Sequence, residues 1–241
     1  MNEVALLTDT ITIECFRPKG RFGEVKYYWD DHHKVYGLKE EVSVTSARPH
    51  VAVSCSPHYP GSAGDYRIHR EKYELTTDYL TKTPEEKAWP GDKDPSPYWG
   101  NLGDKQYIGP ATDTPHERRI TPIKGASLSS AQKTANKKKS TTRVPVEQYF
   151  GRLVRKCAIM GGVYRFDHRN FDTDFENCCM LVNEDITISA LSLDDGEFYQ
   201  KFLDARLEKW RVAEANRKKE RETYAANKKA KLLKVQKFVG E

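Results

Sequence analysis

The chain has 241 residues, of which 31% are charged and 37% hydrophobic, with a formal net charge of +5 at neutral pH. That length accommodates one large domain, or one domain and an extension, around a real core. No apolar run approaches the roughly 18 residues that a membrane-spanning helix needs, and the first residues lack the basic-then-apolar pattern of a secretory signal; the expectation is an intracellular protein, nuclear in a eukaryote and otherwise cytoplasmic, not secreted, with no membrane partner.

Val4 to Phe16 is rich in β-branched and apolar residues and is followed by Arg17-Pro18-Lys19-Gly20, which predicts a buried strand. Asp9 lies in its middle, where a carboxylate is costly unless paired, hydrogen-bonded or bound to a metal. An exposed aspartate on an edge face is the plainer reading. The sequence begins almost at this strand, which suggests that an upstream module is absent. Alternation from Val25 to Thr45 predicts one long strand or two joined ones, and Pro49 to Cys55 a further strand, giving an antiparallel meander. His32 and His33 are adjacent and would point to opposite faces, a poor arrangement for a shared metal; Lys34 and Lys39 are read as contacts to phosphate or water. Asp65 reads as the cap of a helix whose Ile68 and Leu75 face inward. The charged, proline-rich stretch from Thr76 to Pro97 reads as helix end and surface loop, anchored by Trp89 and Trp99.

Tyr98 to Gly109 predicts a short strand that displays Asp104 at its end, with Gly103 and Gly109 relieving bulk and backbone constraint; a turn-forming aspartate is the alternative. Thr121 to Lys124 reads as a return strand and Ser127 to Ser140 as a polar, basic helix. A separate amphipathic helix is predicted from Pro145, with Val146, Phe150, Leu153 or Val154, and Cys157 on the core side and Arg152, Arg155 and Lys156 opposite. Pro145 suits a first helical turn, which would put Glu147 at the positive end of the helix dipole. An ordinary capping glutamate is the plainer reading. Phe175, Cys178, Cys179 and Val182 mark a packed helix, and a last helical stretch opens at Asp194. Beyond about Ala213 the chain is charged on nearly every side, and no fixed structure is expected there. Between Ala205 and Lys237 stand 12 Lys and Arg against 4 Glu, so the rest of the chain nets −3 under a total of +5. A basic tail on a slightly acidic body suggests a phosphate-bearing partner. The five cysteines, Cys15, Cys55, Cys157, Cys178 and Cys179, are odd in number, scattered and without C-x-x-C spacing, and read as buried free thiols.

Six blocks, in order, resemble DDE transposases of the PIF/Harbinger type and their bacterial insertion-sequence relatives. They are Leu7-Thr8-Asp9-Thr10 with Arg17-Pro18, the run from Tyr27 to Lys39, Pro60-Gly61-Ser62-Ala63-Gly64-Asp65, Gly103-Asp104 through Gly109, Thr121-Pro122-Ile123-Lys124, and Arg143 through Glu147 to Leu153. The resemblance extends from about Leu6 to Asn183. It implies an α/β, RNase H-like fold: a mixed sheet, its first strands antiparallel, flanked by helices, with a basic helical C-terminal tail. Residues 1–190 would form the catalytic domain and 191–241 a basic helical extension, partly disordered. The family's catalytic and metal-binding triad would fall on Asp9, Asp104 and Glu147, sharing two divalent ions, Mg²⁺ or Mn²⁺. The activity implied is metal-dependent cleavage of DNA phosphodiester bonds, with strand transfer by the freed 3′-hydroxyl as a second step.

DNA would be the partner, with Lys34, Lys39, Arg143, Arg152, Arg155 and Lys156 offsetting phosphate charge. Asp65 departs from the family pattern, because Gly64 precedes it where a histidine is common, so a structural or supporting role is expected of it rather than metal ligation. The family's N-terminal helix-turn-helix region has no counterpart, so the expectation is a fragment, a decayed copy or a host-adopted derivative; a separate DNA-recognition protein and a homo-oligomer are left open as partners. The alternative is a catalytically inactive, host-adopted DNA-binding or scaffolding protein that keeps the fold.

Overall fold

The structure is a computed structural model that describes residues 3–89 and 95–239. Its elements in order are β1 (Val4–Glu14), α1 (Phe22–Tyr27), β2 (Trp29–Asp30), β3 (Val35–Thr45), β4 (Ala52–Cys55), β5 (Tyr59–Pro60), α2 (Asp65–Leu80), α3 (Pro84–Lys87), β6 (Gly100–Leu102), β7 (Arg118–Ile120), α4 (Ser130–Lys156), α5 (Ala158–Gly161), α6 (Phe171–Ile188) and α7 (Leu193–Val239). The sheet runs β2-β3-β1-β6-β7, with β4 and β5 also paired to β3. β1 is antiparallel to β3 and parallel to β6, and β6 is parallel to β7. This mixed sheet flanked by helices, with a C-terminal helix, is an RNase H-like arrangement. No helix among the described residues is long and apolar enough to cross a membrane.

The central pair of strands is buried on both faces. Leu7, Ile11 and Ile13 of β1 and Leu38, Val42 and Val44 of β3 are all within 1% of full burial, which is why both strands read as near-continuous apolar runs. Glu40 and Glu41, adjacent on β3, point to opposite faces. Glu41 meets His69 and Lys72 of α2, while Glu40 faces α6, where burial first, then Cys55, then Asp172 and Glu176 raise its carboxyl well above the usual range. On the α2 side a chain of polar groups ties the strands together. Thr8 bonds Ser43 and Asn101, Asn101 bonds Glu117, and His69 bridges Glu117 and Glu41. Burial pulls His69 down, but the two glutamates outweigh it and hold the imidazolium up to about 9.

Several elements differ from the sequence expectation. Val25 lies in α1 rather than in a strand, because Glu24 accepts from the Arg21 backbone N–H at 3.0 Å and starts a short helix. The return strand is β7, just before Thr121–Lys124, which is irregular. Trp89 is 51% exposed, too open to anchor the loop among the described residues, whereas the half-buried Trp99 ring carries the Lys82 ammonium at 4.9 Å. Ile68 is buried as expected; the Leu75 side chain and residues 90–94 lie outside those described.

The two predicted helices around Pro145 are one helix, α4. Ser129 caps it, accepting from Gln132 N–H while the Gln132 side chain accepts from Ser129 N–H. Pro145 removes the N–H that would bond the Thr141 carbonyl. The helix continues through it because Val146, Tyr149, Phe150 and Leu153 bury completely on its inner side. The Phe175, Cys178, Cys179 and Val182 stripe is buried on α6, and all five cysteines are free.

The chain divides into two compact units, residues 1–201 and 202–241. The second is the continuation of α7. Where no fixed structure was expected beyond Ala213, the chain is helical through Val239, built from good helix formers and supported by Glu214 ion pairs to Arg217 and Arg221.

Gly151 shows how closely the helices of the first unit pack: a Cβ there would stand 1.8 Å from the Asp195 carbonyl oxygen and 2.7 Å from its carbon. Both neighbours are backbone, so relief requires moving α4 away from the start of α7. Gly151→Ala is therefore expected to cost about 3 kcal/mol, measured as a lower urea midpoint; an unchanged midpoint would show that the two helices are not held this close.

Candidate active site

Asp9 occupies the middle of β1 opposite Val42 of β3. Its carboxylate, 19% exposed, forms an ion pair with Arg143 of α4 and accepts the Thr10 N–H at 3.0 Å. Burial raises its pKa to about 7 from 3.8; Arg143 opposes that rise, and the charges of Asp104 and Asp65 add to it. The strand does display a carboxylate that needs a partner, and the partner present is a guanidinium.

Asp104 follows β6, the strand parallel to β1. Its side chain accepts the Gln106 N–H and caps the turn Lys105–Tyr107. The turn-forming reading is thus correct as local structure, and the same turn leaves the aspartate half-buried and close enough to Asp9 and Asp65 to act on both. Asp65 is buried at the first turn of α2, accepting from Lys39 Nζ at 3.2 Å. Burial raises its pKa, Lys39 and Thr10 oppose this, and Asp104 adds to it. The residue expected to be a cap therefore belongs electrostatically with Asp9 and Asp104. Tyr107 was not singled out from the sequence. Its ring packs edge-on to His69 at 5.4 Å, and its buried hydroxyl has no hydrogen-bond partner among the described residues. Burial raises that phenol well above its usual range, and Glu41, Asp9, Asp65 and Asp104 raise it further.

Glu147 lies one helical turn beyond Arg143 on α4. It is exposed, and its charge is among those that raise the Arg143 pKa against the effect of burial, after Asp9 and Asp104. Arg143 is thus the common neighbour of the three acids. The dipole argument for Glu147 does not hold: the helix begins at Ser130, so Glu147 sits about two and a half turns from its C-terminal end.

The predicted phosphate contacts divide. Arg152 is buried with every donor engaged: Nε and Nη2 on Asp195, Nη1 on Asp185 and the Ser189 carbonyl, and Nη2 again on the Ala190 carbonyl. No N–H remains for a phosphate, so Arg152 is a structural residue. Lys39 is likewise buried, on Asp65 and the Ala63 carbonyl. Lys34 closes the tight turn between β2 and β3 at φ 57° and pairs with Asp31. Arg155 and Lys156 pair with Asp195 and Asp185 but keep 37% and 51% of their side chains exposed.

Among the described residues no three Asp, Glu, His or Cys side chains stand ready as a metal cage. The donor chemistry nevertheless fits a hard divalent cation. The groups are carboxylates, and Asp9 carries an acid-raising field from Asp104 and Asp65 that additional positive charge would relieve. A family model described as DDE superfamily endonuclease matches residues 8–183, the span that holds all of these groups. The chain belongs to the DDE superfamily endonucleases. No curated protein and no solved structure matches it. The three acids around Arg143 come from the central strand, the turn after its parallel neighbour and a helix, all remote from one another in the chain.

The Asp9 shift has a signed consequence. The folded state holds this proton more tightly than the unfolded chain, so its contribution to stability falls as pH rises from near 4 to about 7 and is level above. A ¹³C NMR titration of the side-chain carboxyl in metal-free buffer should give a midpoint near 7, and a higher one in Arg143→Gln. A midpoint near 4 would mean that burial does not act on Asp9, and equal midpoints in the two proteins that Arg143 does not.

Proposed function

We propose that this endonuclease cleaves DNA phosphodiester bonds with two divalent cations held by Asp9, Asp104 and Glu147, and that within the superfamily it is of the PIF/Harbinger type. The observation that carries the reading is the convergence of all three acids on Arg143. Mg²⁺ or Mn²⁺ bound there would lower the pKa of the attacking water and stabilise the departing 3′-oxygen. Asp9 supplies an anionic oxygen from the middle of β1, and Asp104 one from the capped turn after β6. Glu147, exposed on α4, supplies the third carboxylate from the rim. Arg143 compensates Asp9 in the resting protein and is placed to meet a phosphate once that pairing is released. Arg155 and Lys156, with the exposed Lys133, Lys137 and Lys138 of α4, supply salt-sensitive attraction for the DNA backbone. Strand transfer would need only that the freed 3′-hydroxyl take the place of water.

One observation favours the second reading, a DNA-binding or scaffolding protein without catalysis: Asp9 already has its counter-charge in Arg143. The two readings part on a plasmid assay. With Mg²⁺ or Mn²⁺ the protein is expected to nick supercoiled DNA, and Asp104→Ala to lose on the order of a hundredfold or more of that rate. Equal nicking by both proteins would remove Asp104 from the chemistry; salt-dependent binding with no nicking by either would establish the scaffold.

A further inference from the structure

A cavity of about 710 Å³ opens beside the acid cluster, between α1, the turn after β2, the loop leading into α2 and the turn after Asp104. Its walls include Lys26, Tyr27, Lys39, Gly64 and Gln106, together with Asp30 and Asp31, which are paired with Lys39 and Lys34 respectively. Three of these tie it to the acids. Lys39 holds Asp65, Gly64 precedes Asp65, and Gln106 gives its N–H to Asp104. The volume falls in the range of pockets that enclose one small ligand, and a DNA duplex about 20 Å across cannot enter it. A single unstacked nucleotide can.

We propose that this cavity receives one unpaired nucleotide next to the scissile phosphate, its base against Tyr27 and its phosphate toward Lys26. The inference rests on the nuclease reading above. Tyr27 lines the cavity, is 49% exposed, and has its ring braced edge-on by Tyr28 at 5.8 Å, so it offers an aromatic surface to the cavity. Stacking on such a face is indifferent to base identity. Lys26 is exposed at the same rim. Gly61 lets the loop close over the cavity: a Cβ there would lie 2.6 Å from the Tyr28 carbonyl oxygen. Gly64 is the reverse case, since a Cβ there would meet nothing within 4 Å. A larger side chain at position 64 therefore fills the cavity without displacing the fold.

The test uses two labelled duplexes, one perfectly paired and one carrying a single bulged 2-aminopurine, bound to the full chain in EDTA so that no cleavage occurs. The protein should bind the bulged duplex about tenfold more tightly than the perfect one, with quenching of the 2-aminopurine as it stacks. Gly64→Leu and Tyr27→Ala should each lose that preference and the quenching while binding the perfect duplex as before. Equal affinity for the two duplexes, or unchanged preference in both variants, would overturn the inference. The nicking assay on the same proteins separates this from the nuclease reading. Bulge preference without metal-stimulated nicking would leave the cavity and remove the nuclease; nicking without bulge preference would do the opposite.

Discussion

The ion pair between Asp9 and Arg143 joins the centre of the sheet to the helix that carries Glu147. A carboxylate on the innermost strand, with Asp104 and Asp65 acting on it, is unfavourable without nearby positive charge. Arg143 provides that charge from a helix whose inner side packs against the same strands. Removing either partner would leave the other charge half-buried and alone, so the pair fixes the register of α4 against the sheet as much as it neutralises the site. The arrangement also places Glu147 one turn along from the guanidinium, which brings the third acid to the same rim.

Beneath the acids, the α2 face of the sheet is held by groups that are individually costly and jointly satisfied. Thr8 and Asn101 bond directly across β1 and β6, Thr8 beside Asp9 and Asn101 three residues before Asp104. Asn101 continues to Glu117, His69 and Glu41. Two carboxylates, a protonated imidazole and the Lys72 ammonium come close to electrical balance in a place that excludes water. Such a network rigidifies the floor on which Asp9 and Asp104 stand. Tyr107 lies between the two layers, its ring on His69 and its buried hydroxyl within the field of the acids.

The strands that bear the site were legible because they are apolar on both faces, and an aspartate inside such a run stands out. The core stripe of α4 was legible for a similar reason: Val146, Phe150 and Leu153 keep helical spacing. What misled was Pro145, which reads as a first-turn residue; the Ser129 to Gln132 capping box, a better start signal, lies sixteen residues earlier in the chain. Charge was the least legible property. Arg152 looks like surface on a helical wheel, yet its partners Asp185 and Asp195 are far along the chain, and spacing cannot reveal a partner of that kind. Asp65 hid in the same way, since a helix-capping position and a place beside Asp9 are one location that only the tertiary fold identifies.

A divalent cation taken up by the acids around Arg143 is the property on which nuclease chemistry here depends. Calorimetric titration of Mn²⁺ into the protein at pH 7 should show binding accompanied by proton release, because Asp9 is partly protonated there and a cation favours its ionised form. Asp9→Asn should bind far more weakly and release no proton. Absence of binding in the unaltered protein, or equal binding and proton release in both, would contradict uptake at these acids.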